Sequence, residues 1–167
     1  TQFVWLAWFA RASLKCASLR LAWRSWGEYP IYLKATGGMR ALTTSDRIRV
    51  IAAVRSLFGN NEFSPFAFED EQVRVISGEE EAIYGWTGIN FLMGTLLNNT
   101  QGIGTVTGVN KTFGALDMGG ASTQISFFEP SEDIMSNLFK MQLGASKHWN
   151  VYAHSFLYFG VNLALER

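Results

Sequence analysis

The run GALDMGGASTQISF at 114–127 concentrates the residues of this chain best suited to chemistry. An apolar approach (Phe113, Ala115, Leu116) ends at Asp117, and Gly119-Gly120-Ala121 follow as a turn with almost no side-chain bulk. Beyond the turn, Ser122, Gln124 and Ser126 alternate with Thr123, Ile125 and Phe127, the period of a strand with its polar set on one face. Glycines let a backbone approach a ligand closely, and successive turn N–H groups form an anion-binding concavity. A carboxylate at the lip of such a turn suits a hydrated divalent cation that accompanies phosphates. The residue types and their spacing point to phosphate chemistry.

Two further junctions carry small or acidic residues: KATGGMR at 34–40 and ISGEEEAIYGW at 76–86. Each has a plain structural explanation. Gly37-Gly38 makes a tight turn, Glu79-Glu80-Glu81 offsets a helix dipole, and Asp-x-Gly-Gly is a common hairpin turn. All three together are expected to converge in a cleft. His148 and His154 share no metal-ligand spacing with carboxylates or with Cys16, and read as surface or packing residues. Ser77 and Ser122 have no His-Asp constellation nearby, and neither a Walker A run nor a dinucleotide fingerprint is present. Two glycosylation sequons, at Asn98 and Asn110, are consistent with a secretory route.

The elements that must hold these residues follow from composition and period. The chain has 167 residues, 48% hydrophobic and 14% aromatic, enough for a packed core. Its 14 basic and 14 acidic residues give no global field for nucleic acid or anionic lipid. A single cysteine excludes an internal disulfide, and the most apolar stretch, 3–10, is too short to cross a bilayer. Residues 29–36 read as a strand, Gly37-Gly38 as a turn and 39–42 as a helical start. Ser45 is expected to precede a helix that runs to about 58, with Ile48, Ile51, Ala52 and Arg55 at helical spacing, followed by a strand over 73–76. Ser77 and Glu80 fit a capping box that opens a helix running to about 97, largely buried through Ile83, Trp86, Phe91, Leu92 and Met93. A glycine-rich connector at 98–108 precedes the hairpin, followed by a helix around 134–143 and a last segment from 151 that ends in helix. Strands alternating with helices make an α/β chain.

In order and spacing, KATGGMR, ISGEEEAIYGWTGINFL and GALDMGGASTQISF resemble the second, third and fourth signature regions of the apyrases. These are the nucleoside triphosphate diphosphohydrolases, relatives of the Golgi guanosine diphosphatases. VYAHSFLYFGVNLALER at 151–167 is similar to the segment that follows the fourth region. The resemblance implies an actin-like (ribonuclease H-like) fold of two lobes, incomplete in this chain. Residues 28–99 are expected to form the remainder of the first lobe and 100–167 the start of the second, with 1–27 unassigned.

Carried over residue by residue, the resemblance gives Glu81 the role of the base that activates the attacking water. Ser122 and Gln124 would position that water, and Gly119, Gly120 and Ala121 would cradle phosphate. Asp117 would hold Ca²⁺ or Mg²⁺, with Thr36 near the metal through water. The implied substrate is a nucleoside di- or triphosphate, with no nucleic-acid partner, and with any membrane attachment outside this chain. The implied location is extracellular or in the secretory lumen. The family's first phosphate-binding turn, of Asp-Gly-Ser-Ser type, and its fifth region have no counterpart here. Ala82 stands where the family has Gly, and Tyr158 where many animal members have a disulfide cysteine. The chain therefore reads as a fragment expected to be inactive alone. The alternatives are another actin-like phosphohydrolase or kinase, such as an exopolyphosphatase, and an inactive nucleotide-binding fragment.

Overall fold

In a computed structural model, residues 23–96, 112–131, 136–143 and 147–165 are described. The 97–111 stretch, with the connector, the expected lobe boundary and both sequon asparagines, lies outside them, as do residues 1–22. The described residues form two compact units, one from 23–35 with 42–75 and one from 36–41 with those from 76 onward.

The first unit is a small βαβ arrangement. Strand β1 (Leu33–Ala35) pairs in parallel with β2 (Val73–Val75), in the register Leu33↔Val73. Parallel neighbours need a crossover connection. Here it contains α2 (Thr44–Phe58), whose N-cap Thr43 accepts a hydrogen bond from the Asp46 N–H at 3.2 Å. Arg55 reaches from α2 to donate twice to the Val73 carbonyl, at 3.2 and 3.0 Å. The buried face of α2 turns on Val54, and Ile48 stays exposed, so the expected stripe is rotated from the true one. A shallow cavity of about 620 Å³, lined by α2 residues with Asp70 and Val75, contains none of the candidate site residues.

The second unit opens with α1 (Gly37–Arg40), a single helical turn that includes Gly37-Gly38, expected as a turn, and begins two residues before the helical start expected at 39–42. It continues with α3 (Gly78–Leu92) and an antiparallel sheet in the order β3-β4-β6-β5, formed by Ala115–Met118, Ser122–Phe128, Lys147–Leu157 and Leu138–Leu143 respectively, and ends in α4 (Val161–Leu165). The capping box is present in full: Ser77 Oγ accepts from Glu80 N–H, and Glu80 Oε2 accepts from Ser77 N–H, both at 3.1 Å. The helix stops at Leu92 rather than 97, because Gly94 turns into the left-handed region at φ 71°. Phe91 and Leu92 are 60% and 68% exposed, contrary to the expected burial, whereas Trp86 is fully buried.

The described part of the helix expected at 134–143 is instead strand β5, hydrogen-bonded along β6 from Leu138↔Tyr152 to Leu143↔Lys147. Leu138, Lys140, Met141 and Gln142 are acceptable in helices, but cross-strand pairing overrides that weak preference. Trp86 of α3 packs on Trp149 of β6, ring centroids 5.9 Å apart, within a cluster completed by Leu96, Ala115 and Val151. Asn90 is fully buried and fully bonded. Its amide donates to the Trp86 and Phe113 carbonyls at 2.9 Å, and its oxygen accepts from Phe113 N–H at 2.8 Å and Thr95 Oγ at 2.7 Å. That side chain sews the end of α3 to the entry of β3.

Candidate active site

Three segments distant in sequence meet at the N-terminal end of α3. Strand β4 presents Ser122, Gln124 and Ser126 on one face, and this polar face is the buried one, at 3%, 1% and 1% exposure. Helix α3 lies over it, since Ser126 Oγ donates to the Ala82 carbonyl at 3.0 Å. Glu81, one turn into α3, therefore stands above Gln124, whose Nε2 donates to Glu81 Oε2 at 3.2 Å. Glu80 is occupied by the cap, so the third glutamate of the run is the one turned to this network.

Arg40 of α1 completes it. Its Nη2 donates to Glu81 Oε2 at 2.8 Å and to Ser122 Oγ at 3.3 Å, and its Nη1 to the Ile76 carbonyl at 3.0 Å. Both side chains of this ion pair keep a little solvent access, 14% for Arg40 and 15% for Glu81. Nothing local in KATGGMR marks Arg40, because its partners lie 41 and 82 positions away. Ser155 is a second unassigned member. It faces Gln124 across β4 and β6, and its Oγ accepts from Gln124 Nε2 at 3.0 Å. Gln124 Nε2 also reaches Ser122 Oγ at 2.7 Å.

Close approach explains two glycines. A Cβ on Gly37 would lie 2.4 Å from Ser122 Oγ, and one on Gly78 would lie 2.2 Å from Ser155 Cβ. Thr36 and α1 are thereby set directly on β4, and the start of α3 directly on β6. Neither Gly119 nor Gly120 has positive φ; a Cβ on Gly120 would lie 2.9 Å from Asn162 Nδ2, whereas one on Gly119 would make only an ordinary contact with the Ser122 carbonyl. The turn closes by Gly119 N–H donating to the Ser122 carbonyl at 3.0 Å. One polar atom in the network has no partner among the described residues: the buried side-chain oxygen Oε1 of Gln124.

Asp117 pairs with Gln124 in the β3–β4 register and is exposed. The Thr36 side chain forms no cap bond. No group of three or more His, Cys, Asp or Glu among the described residues could enclose a metal ion. A lone exposed carboxylate such as Asp117 suits a hard cation that keeps most of its ligands as water and substrate oxygen, as Mg²⁺ does. His154 contacts Asn137 at 3.2 Å and the Phe156 ring, a packing role, and the side chain of His148 is outside the described set. No helix among the described residues is long and apolar enough to cross a membrane.

Residues 9–167 match the model of the GDA1/CD39 (nucleoside phosphatase) family, which takes in most of the N-terminal stretch where no motif was legible. The chain is 38% identical over 147 residues to ectonucleoside triphosphate diphosphohydrolase 1 of Bos taurus, covering 83% of this chain and 27% of that protein. It is 35% identical over 143 residues to ectonucleoside triphosphate diphosphohydrolase 5 of Ailuropoda melanoleuca, covering 83% of this chain and 30% of that protein. Among solved structures, a nucleoside triphosphate hydrolase of Neospora caninum superposes with a TM-score of 0.60 at 25% identity, covering 79% of this chain and 25% of that one. The fold is thus the actin-like α/β one that the motifs imply, and the chain spans about a third or less of the relatives it matches.

Proposed function

Since this chain belongs to the GDA1/CD39 nucleoside phosphatase family, we propose that the whole protein hydrolyses terminal phosphates of nucleoside tri- or diphosphates, using Ca²⁺ or Mg²⁺. The observation that carries this reading is the Gln124 side chain, whose Nε2 donates to the Glu81 carboxylate while its buried Oε1 has no partner among the described residues. A buried carbonyl oxygen without a hydrogen bond costs about 1–3 kcal/mol, and a single ordered water would satisfy it. A water bound by Gln124 would belong to the same network as the Glu81 carboxylate, which can take its proton.

Glu81 is the general base, removing a proton as the water oxygen attacks the terminal phosphorus. The bond from phosphorus to the bridging oxygen breaks, and the shortened nucleotide leaves with the bonding electrons. Arg40 holds the Glu81 carboxylate in place, and Ser122 and Ser155 fix the Gln124 amide. The N–H groups of Gly120 and Ala121 in the turn donate to phosphate oxygens, the Gly119 N–H being taken by the Ser122 carbonyl. Asp117 and Thr36 would hold the cation through its water shell, where it would neutralise phosphate charge. Positioning and charge stabilisation of this kind account for most of the acceleration in phosphoryl transfer. The relatives named as ectonucleoside enzymes support an extracellular or secretory-lumen setting.

The test is phosphate release from ATP and ADP by the whole protein during Ca²⁺ and Mg²⁺ titration. Chelation is expected to abolish turnover. Asp117→Ala is expected to raise the cation concentration needed for half-maximal rate about 10–100-fold, the scale seen for residues that act through a metal's outer shell. Turnover that survives chelation, or an unchanged cation requirement in Asp117→Ala, would overturn the metal assignment.

A further inference from the structure

The backbone around the glycine turn has an unusual division of hydrogen bonds. The carbonyls of Gly119, Gly120 and Ala121 are all occupied by one downstream segment. Val161 N–H donates to Gly119 O at 2.9 Å, Asn162 and Leu163 N–H to Gly120 O at 3.0 and 3.3 Å, and Tyr158 N–H to Ala121 O at 2.8 Å. Thr123 Oγ1 ties the same segment from the other side, donating to the Phe159 carbonyl at 2.6 Å. The N–H groups of Gly120 and Ala121 have no partner among the described residues. Gly160 fits against the turn so closely that a Cβ there would lie 2.4 Å from both Gly120 C and Ala121 N. Tyr158 is held at φ 73°, a left-handed conformation that costs a bulky side chain of order 1–3 kcal/mol and persists only where the surroundings dictate it.

We propose that the Tyr158–Leu163 segment is a brace that gives the glycine turn its polarity: it takes up the turn's carbonyl oxygens and leaves the Gly120 and Ala121 N–H groups as donors for an anion. A free glycine turn offers both acceptors and donors, and the acceptors repel phosphate. With the three carbonyls engaged, only donors remain, and the concavity selects anions. Gly160, Val161 and Thr123 are thus positioning residues that act through the turn without touching substrate. The inference rests on the hydrolase reading above for the identity of the anion, but anion binding itself does not require turnover.

Val161 is the first residue of α4, where proline is well tolerated because the position makes no intrahelical donor bond. In Val161→Pro the ring Cδ takes the place of the amide hydrogen aimed at Gly119 O, so the substitution removes that hydrogen bond and presses on the turn, whereas Val161→Ile keeps the bond. In the whole protein, Val161→Pro is expected to raise KM for ATP and the dissociation constant for inorganic phosphate about three- to ten-fold, the scale of one lost hydrogen bond, with kcat changed less. Val161→Ile is expected to match the parent. Thr123→Val loosens the brace without altering α4, and is expected to give a smaller rise of the same kind. Gly160→Ala, which puts a methyl into the turn, is expected to exceed both. Melting temperatures recorded alongside separate displacement of the turn from loss of fold. If Val161→Pro or Thr123→Val folds and binds phosphate like the parent, the brace is wrong. Glu81→Gln run in parallel keeps the two readings apart. An inactive Glu81→Gln beside an unaffected Val161→Pro overturns the brace alone, and a fully active Glu81→Gln overturns the hydrolase reading. Phosphate binding still decides the brace in that case, and a parent that binds no phosphate removes it.

Discussion

The two ends of the layer between α3 and the sheet are built on opposite rules. At the far end, Trp86, Leu96, Ala115, Trp149 and Val151 are buried against one another. At the near end, Arg40, Glu81, Ser122, Gln124 and Ser155 fill the same layer with charges, hydroxyls and an amide. Both ends hold buried atoms with no partner among the described residues: the Trp86 and Trp149 indole N–H groups at one, the Gln124 oxygen at the other. The magnitudes separate them. A buried indole removes roughly 150–250 Å² from water, worth about 4–6 kcal/mol at 25 cal/mol per Å², which exceeds the cost of an unpaired N–H of about 1–3 kcal/mol. The Gln124 amide has no comparable apolar gain. A polar group kept at such a cost, in a strand whose polar face points inward, is better explained by function than by stability.

The comparison breaks first at its apolar end. Trp86→Ala is expected to destabilise the whole protein by about 3–5 kcal/mol, read by denaturant unfolding, through lost burial and the cavity left behind. A loss below about 1 kcal/mol would show that this end is not the stabilising one. Asn90→Ala strips partners from both backbone groups of Phe113, and about 2–3 kcal/mol is expected by the same measurement. At the polar end, Ser126→Ala removes one hydrogen bond to the Ala82 carbonyl, and only about 1 kcal/mol is expected. If Ser126→Ala costs as much as Trp86→Ala, the division between the two ends is false.

How much of this was legible in the sequence depends on how local each signal is. The β3–β4 hairpin and the capping box were, because a glycine turn, a period of two and a Ser-to-Glu spacing are written in adjacent residues. The resemblance picked Glu81 out of the three glutamates but gave no sign of its hydrogen bond from Gln124 on the strand. Arg40 and Ser155 were not legible, since their roles come from partners on other elements, brought near by the close approach of Gly37 and Gly78 to the sheet. Strand β5 was misread as helix because its pairing with β6 lies outside any local window, and Leu-Phe-Lys-Met-Gln-Leu carries no strong preference. Gly160 looks like an ordinary turn glycine, and only the contact with Gly120 and Ala121 shows why it has no side chain.

The central claim is that the polar end performs hydrolysis and the apolar end holds the fold. Phosphate release from ATP by the whole protein, measured for the parent and Glu81→Gln with unfolding recorded on the same samples, tests it most directly. A general base contributes about 10²–10⁴-fold, so turnover is expected to fall by that factor while unfolding stability stays within about 1 kcal/mol of the parent. Turnover retained in Glu81→Gln, or turnover lost only in proportion to lost folding, would contradict the account.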